Sequence, residues 1–172
     1  MAEGLDYKHK KVQRLRKLVR KREFRAAEGV FVLEGYKLLE EALAAGASVE
    51  AVYLAPGALH RAIDDAVDAG VRVHPLAAGV LERVTDAVSP QPVVAIARTP
   101  SWSVDVLKDV SSVLLLVDVR DPGNAGTILR SAEAAGIGAV VFCEGSVDVF
   151  NPKTVRSRPG RCSACPVSRT FL

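Results

Sequence analysis

Short apolar runs alternate with segments of helical period through most of this chain, and that alternation restricts the possible folds more than any other feature. Residues 31–33, 49–54, 71–75, 93–97, 112–118 and 139–143 read as strands, while 38–43, 60–69, 77–85 and 125–135 carry apolar residues at helical spacing. Strand, turn and helix in repeated order predict an α/β layer structure with a largely parallel sheet. Residues 99–110 mix Pro, Ser, Trp and Asp without sustained period and read as a linker, so the chain divides near residue 105. The expected organisation is a first domain over residues 1–98, the linker, a second domain beginning over 111–157, and a tail over 158–172.

The longest apolar stretches are too short to span a bilayer, and the basic N-terminus is not followed by an apolar segment with a cleavage site, which predicts a cytoplasmic protein. Three cysteines, Cys143, Cys162 and Cys165, imply no disulfide framework. His9, His60 and His74 are scattered without ligand spacing, so no metal site is expected.

The net charge of +3 conceals an asymmetry: ten Lys and Arg lie between Lys8 and Arg25 against one acid, Glu23. Val12, Leu15, Leu18 and Val19 form an apolar stripe among them, which predicts one amphipathic basic helix over 7–25. Such a segment attracts RNA, DNA or an anionic membrane surface by releasing counterions, and charge alone does not choose. A charged run on a helix is also, most often, simply a solvated face.

The most informative stretch is VLLLVDVRDPGNAGTILRSAEAAGIGAVVF. Its strand delivers Asp118, Arg120 and Asp121 to the carboxyl edge of the sheet, where open α/β sheets bind ligands. Pro122, Gly123 and Asn124 are read as a turn, Gly126 as a point of close backbone approach, and Arg130 as a fixed cation one helical turn into the next helix. The plain alternative is an Asx-capped strand-to-helix turn with a solvated arginine. The absence of GxGxxG and GxxxxGK disfavours a dinucleotide or P-loop site.

At these residues the chain resembles the SpoU/TrmH methyltransferases. DVRDPGNAGTILRSAEAAG is similar to their first signature motif and NPKTVR, Asn151 to Arg156, to its continuation. KKVQRLRKLVRKREFRAAEGVFVLEGYKLLEEAL and SPQPVVAIA resemble the opening and the end of the family's substrate-binding domain. The resemblance runs from about Lys10 to Ser157. It implies a small α/β RNA substrate-binding domain followed by an incomplete α/β-knot methyltransferase domain, with S-adenosylmethionine as cofactor, ribosomal or transfer RNA as partner, and a homodimer in the intact family.

The resemblance further implies that Asn124 shapes the active-site turn and that Arg130 sits at the ribose 2′-hydroxyl to be methylated. Arginine hardly loses its proton, so its expected role is to orient that hydroxyl and stabilise developing negative charge. Lys153 and Arg156 are expected phosphate contacts, with Asn151 either capping their helix or touching RNA. In the basic head Arg20, Lys21, Arg22 and Arg25 are the expected RNA contacts. Trp102 is expected to pack between the domains.

After NPKTVR the family continues in the manner of SSAGALFRLPV, whereas this chain reads SRPGRCSACPV. Loss of one base from GC-rich codons for the former spells the latter, so a frameshift near Ser157 is expected. The cofactor-binding residues then fall in a missing segment, activity of the chain as given is doubtful, and apolar surface and strand edges are left uncovered. The alternative reading is a non-catalytic RNA-binding module, separated from the first by binding of S-adenosylmethionine. A general nucleotide-binding α/β protein is the weakest reading.

Overall fold

The computed structural model describes residues 4–85, 87, 89–101, 103–157 and 167–168. The chain forms two compact units that meet between Thr99 and Pro100.

The basic head is two helices rather than one. Helix α1 covers Lys10–Arg20 and α2 Arg22–Glu28, and Lys21 between them has extended backbone, φ −117° and ψ 114°. The break follows from burial: Val12, Leu15, Leu18 and Val19 all point into the core, and the Arg25 guanidinium turns back to donate to the carbonyls of Leu18 at 2.7 Å and Val19 at 3.2 Å. Arg25 therefore satisfies carbonyls that the end of α1 leaves without helical partners.

The rest of the first unit runs β1 (Val30–Glu34), α3 (Tyr36–Ala44), β2 (Val49–Leu54), α4 (Arg61–Asp68), β3 (Arg72–Pro75), α5 (Val80–Val84) and β4 (Val93–Arg98). Its sheet has the order β1-β4-β2-β3. This corrects the expectation of a largely parallel sheet, since β4 lies antiparallel to both β1 and β2 and only β2 and β3 run parallel. The last strand inserts into the centre because Val93 to Ala97 are apolar on both faces and all buried, which suits a central strand.

Val30, Val32, Ala51, Tyr53, Val94 and Ile96 share one core with Val12, Leu15 and Leu18 of α1 and Val80, Leu81 and Val84 of α5. Alternation along the strands turns Phe31, Leu33, Val52 and Ala95 to the opposite face, the side of the buried Leu38, Leu39, Ala42, Ala62 and Ala66 of α3 and α4. The segments FVLEG and SPQPVVAIA meet there: the Gly35 N–H donates to the Val93 carbonyl at 3.0 Å, and the Gln91 N–H to the Glu34 carboxylate at 3.3 Å.

In the second unit a 3₁₀ helix, Val104–Asp109, occupies the stretch read as linker. Trp102 lies outside the described residues. Strand β5 (Val113–Leu116), helix α6 (Pro122–Ala134), β6 (Ala139–Phe142) and α7 (Pro152–Arg156) follow, with β7 (Val167–Ser168) in a parallel sheet of order β5-β6-β7. Leu116, Ala125, Leu129, Ala132, Val140 and Phe142 form its core. Apart from β7, the tail after Ser157 lies outside the described residues, Cys162 and Cys165 included. Among the described residues no helix is long and apolar enough to cross a membrane, no His/Cys/Asp/Glu group could hold a metal ion, and Cys143 is a free thiol.

Candidate functional site

In the first unit the basic face is built around the break between α1 and α2. Lys17, Arg20, Lys21 and Arg22 are exposed there. The strand-like pairing of Leu5 with Leu76 pins the N-terminal segment, with the Leu5 N–H donating to the Pro75 carbonyl at 2.8 Å. Gly4 permits this approach, because a Cβ at that position would stand 2.5 Å from the backbone of Leu76. Pinning brings Tyr7 beneath two guanidinium groups: Arg83 lies 4.0 Å from the ring centroid and Arg16 5.7 Å. Arg20 reaches the Arg83 carbonyl at 3.4 Å, and Lys17 sits 5.4 Å from the centroid of Phe24. Aromatic faces hold these cations in place, each worth about 0.5–1 kcal/mol at an exposed site.

Not every cation of the head faces outward. Arg25, expected to touch RNA, is 4% exposed and spent on the carbonyls of α1, so the geometry gives it a structural task instead. Arg14 is held between Glu28 at 2.6 Å and Glu50 at 2.7 Å. Burial works against its charge, but the hydrogen bonds to Glu50 and Glu28 raise its pKa above the ordinary value. Arg83, Lys17 and Lys11 are among the surface cations that local sequence did not single out. Arg83 is 63 residues from Arg20, and only the packing of α5 against α1 brings it there. Lys11 Nζ stands 3.2 Å from His74 Nε2; burial first, then Lys11, His9 and Arg72, lower the pKa of His74.

In the second unit Asp121 caps α6, its carboxylate accepting the Asn124 N–H at 2.7 Å, and Pro122 takes the first helical position. Residues 122–124 are therefore the first turn of the helix, not a loop before it, and Arg130 lies more than two turns in rather than one. Asn124, Thr127 and Arg130 are all exposed and succeed one another at three-residue spacing, which makes a polar row climbing about 9 Å along α6. Arg130 Nη2 donates to Thr127 Oγ1 at 3.1 Å, which steadies the guanidinium and leaves most of its donors outward.

The start of α6 is clamped by α7. Ser157 Oγ bonds the carbonyls of Pro122 at 3.2 Å and Thr154 at 3.0 Å, and a Cβ on Gly126 would come within 2.0 Å of that hydroxyl. The close approach read at Gly126 is thus to Ser157. Asn151 Oδ1 accepts the Lys153 N–H at 2.9 Å, so it caps α7, and Lys153 and Arg156 are exposed on that short helix. Behind the turn, Ser146 Oγ donates to the Leu116 carbonyl at 3.0 Å and accepts the Val119 N–H at 3.3 Å. Asp118 has φ 55°, uncommon for a residue with a Cβ, and its carboxylate holds Arg120 at 2.7 Å.

This edge presents cations and polar groups suited to ribose and phosphate. Its described residues do not by themselves fit an adenosyl group. The N–H groups of Val119, Cys143 and Val147 are already bonded to Ser146, Leu116 and Val119, and the apolar side chains of Val113, Leu115 and Val117 are 41–70% exposed rather than gathered into a slot.

Comparison with known proteins agrees with this division. Residues 9–95 match the family described as the MRM3-like substrate binding domain, and 111–170 match the SpoU rRNA Methylase family, a match that runs past Ser157. The chain is 35% identical over 165 residues to the 23S rRNA (guanosine(2553)-2′-O)-methyltransferase RlmP of Bacillus subtilis, covering 96% of this chain and 64% of that protein. It is 31% identical over 156 residues to human mitochondrial rRNA methyltransferase 3, covering 87% of this chain and 37% of the relative. The AdoMet-bound rRNA methyltransferase from Sinorhizobium meliloti superposes with TM-score 0.81 at 30% identity, over 95% of this chain and 62% of that one. The methyltransferase AviRb of Streptomyces viridochromogenes, in complex with AdoMet, gives 0.81 at 26% identity, over 96% and 64%. The chain thus spans less than two thirds of these relatives. With both units matched in order and the fold shared throughout, the chain belongs to the SpoU/TrmH family, whose cofactor is S-adenosylmethionine.

Proposed function

We propose that this chain supplies the RNA-holding and ribose-positioning part of an RNA 2′-O-methyltransferase acting on ribosomal RNA. The observation that carries the reading is the exposed row Asn124, Thr127 and Arg130 on a helix whose start is fixed by the Asp121 cap and the Ser157 clamp. Arg130 orients the 2′-hydroxyl and stabilises negative charge as it develops, and Asn124 shapes the turn beside it. Lys153 and Arg156 take flanking phosphates. In the first unit Lys17, Arg20, Lys21, Arg22 and Arg83 hold the RNA backbone, while the aromatic platform of Tyr7 keeps two of its neighbouring cations ordered. A homodimer and a cytoplasmic place belong to the same reading.

The test is transfer of labelled methyl groups to 23S rRNA by the protein at the full length of its relatives. Arg130→Ala is expected to lower kcat by about 10²–10³-fold, the loss typical of a transition-state donor, with RNA affinity changed little. Unchanged turnover would overturn the assignment. A second reading, a non-catalytic RNA-binding role, is favoured by the lack of fit to an adenosyl group among the described residues. Calorimetry with S-adenosylmethionine separates the two, since only a complete cofactor site gives heat.

A further inference from the structure

The first unit is electrically two-sided. Across the sheet from α1 and α5, helices α3 and α4 carry five acids, Glu40, Glu41, Asp64, Asp65 and Asp68, against two cations, Lys37 and Arg61. Between them runs an open groove of about 400 Å³ lined by Glu40, Leu43, Ala44, Arg61 and Asp65, with an apolar floor from Leu43 and Ala44.

The carboxylates on its rim are weakly compensated. Arg61 reaches Asp65 only at 3.7 Å and is 86% exposed in its side chain. His60 Nδ1 stands 3.7 Å from Glu40 and is also the acceptor for the Ala62 N–H at 3.2 Å, as the cap of α4. The His60 ring is also stacked on Tyr36, with centroids 4.2 Å apart and planes at 9°, which fixes it beside Glu40. Leu59, just before α4, is 89% exposed.

We propose that this groove docks a cationic protein segment, with lysine or arginine head groups at Glu40 and Asp65 and the aliphatic stems or a neighbouring apolar side chain over Leu43 and Ala44. The choice of partner rests on charge. An RNA backbone is repelled by Glu40 and Asp65, whereas lysine or arginine head groups complement them, Arg61 reaching Asp65 only at 3.7 Å. The docking surface goes beyond the RNA reading and lies across the sheet from the cations assigned to RNA, so both partners can be held at once.

The experiment uses the whole chain and a short fluorescein-labelled peptide of alternating arginine and leucine, followed by anisotropy. Glu40→Gln with Asp65→Asn is expected to weaken the peptide at least tenfold. Ala44→Gln, which fills the groove without changing charge, should weaken it severalfold. The control pair Glu41→Gln with Asp68→Asn removes the same charge away from the groove and should leave binding within twofold. Equal loss in the control pair would reduce the effect to bulk charge and overturn the proposal, as would failure of the unmutated chain to bind. Concentration-dependent self-association that E40Q/D65N abolishes would make a second copy the occupant and overturn the partner named here. Binding of an rRNA hairpin should be unaltered in E40Q/D65N; weakened RNA binding would place this face in the RNA surface and reject the proposal, whereas loss of RNA binding in Lys21 and Arg22 variants alone tests the other reading.

Discussion

The first unit closes a core on both faces of its sheet, while the second shows one side of its first strand to solvent. Val12, Leu15, Val52, Val93 and Ile96 are fully buried, whereas Val113 and Leu115 are 41% and 58% exposed. The difference separates two kinds of contribution. The domain that matches a substrate-binding module is self-sufficient in apolar packing, and the part that matches the methylase presents the polar row Asn124, Thr127 and Arg130 on a unit whose described residues leave large apolar side chains exposed.

The largest expected effect tests that contrast directly. Leu15→Ala should destabilise the first unit by about 2–5 kcal/mol in chemical denaturation, and Leu115→Ser should change stability by less than about 0.5 kcal/mol. Similar losses would break the distinction. Gly126→Ala is next: its Cβ must displace Ser157 and the short helix behind it, at about 1–3 kcal/mol, read as a lowered melting temperature of the second unit or loss of Ser157 amide protection in hydrogen exchange.

Two classes of cation in the basic head sharpen the comparison within the first unit. Arg25→Gln should lower stability while leaving the salt dependence of RNA binding intact, because its guanidinium is bonded to α1 carbonyls. Lys21→Ala and Arg22→Ala should do the reverse, each reducing the slope of log affinity against log salt by about 0.7–0.9. A changed slope in Arg25→Gln would return that residue to the RNA surface. Asp121→Ala should cost about 1 kcal/mol through loss of the α6 cap, measured by denaturation.

The smallest effect concerns His74. Its folded pKa lies below the unfolded value, so the unfolded chain binds more protons between the two, and stability rises with pH across that window. The contribution is complete above the unfolded pKa of about 6.5 and is lost as pH falls through the folded value. His74→Gln should flatten this shallow acid limb, and an unchanged pH profile would remove His74 from the account.

Much of this was legible from local pattern. The alternation of apolar runs and helical periods located strands and helices to within a few residues, because burial on a sheet or a helix face imposes those periods wherever the chain packs. The motif around Asp121 to Arg130 located the candidate row. Its exact form was not legible: Pro122 to Asn124 read equally well as a turn, and the capped first turn emerges only from the Asp121 hydrogen bond. The break at Lys21 was hidden because the apolar stripe of α1 continues in phase, and the carbonyls claimed by Arg25 lie on the neighbouring helix.

By itself the sequence determined the α/β class, the two-part organisation, the basic head and the family, since these depend on residue type and order along the chain. Only tertiary structure decided that β4 inserts antiparallel between β1 and β2, that Arg14 and Arg25 are consumed inside the fold, and that Arg83 joins Arg20 across 63 residues. The physical reason is common to all three. Hydrogen-bond partners and charge neighbours are set by distance in space, and residues far apart in sequence acquire that distance only when the layers pack.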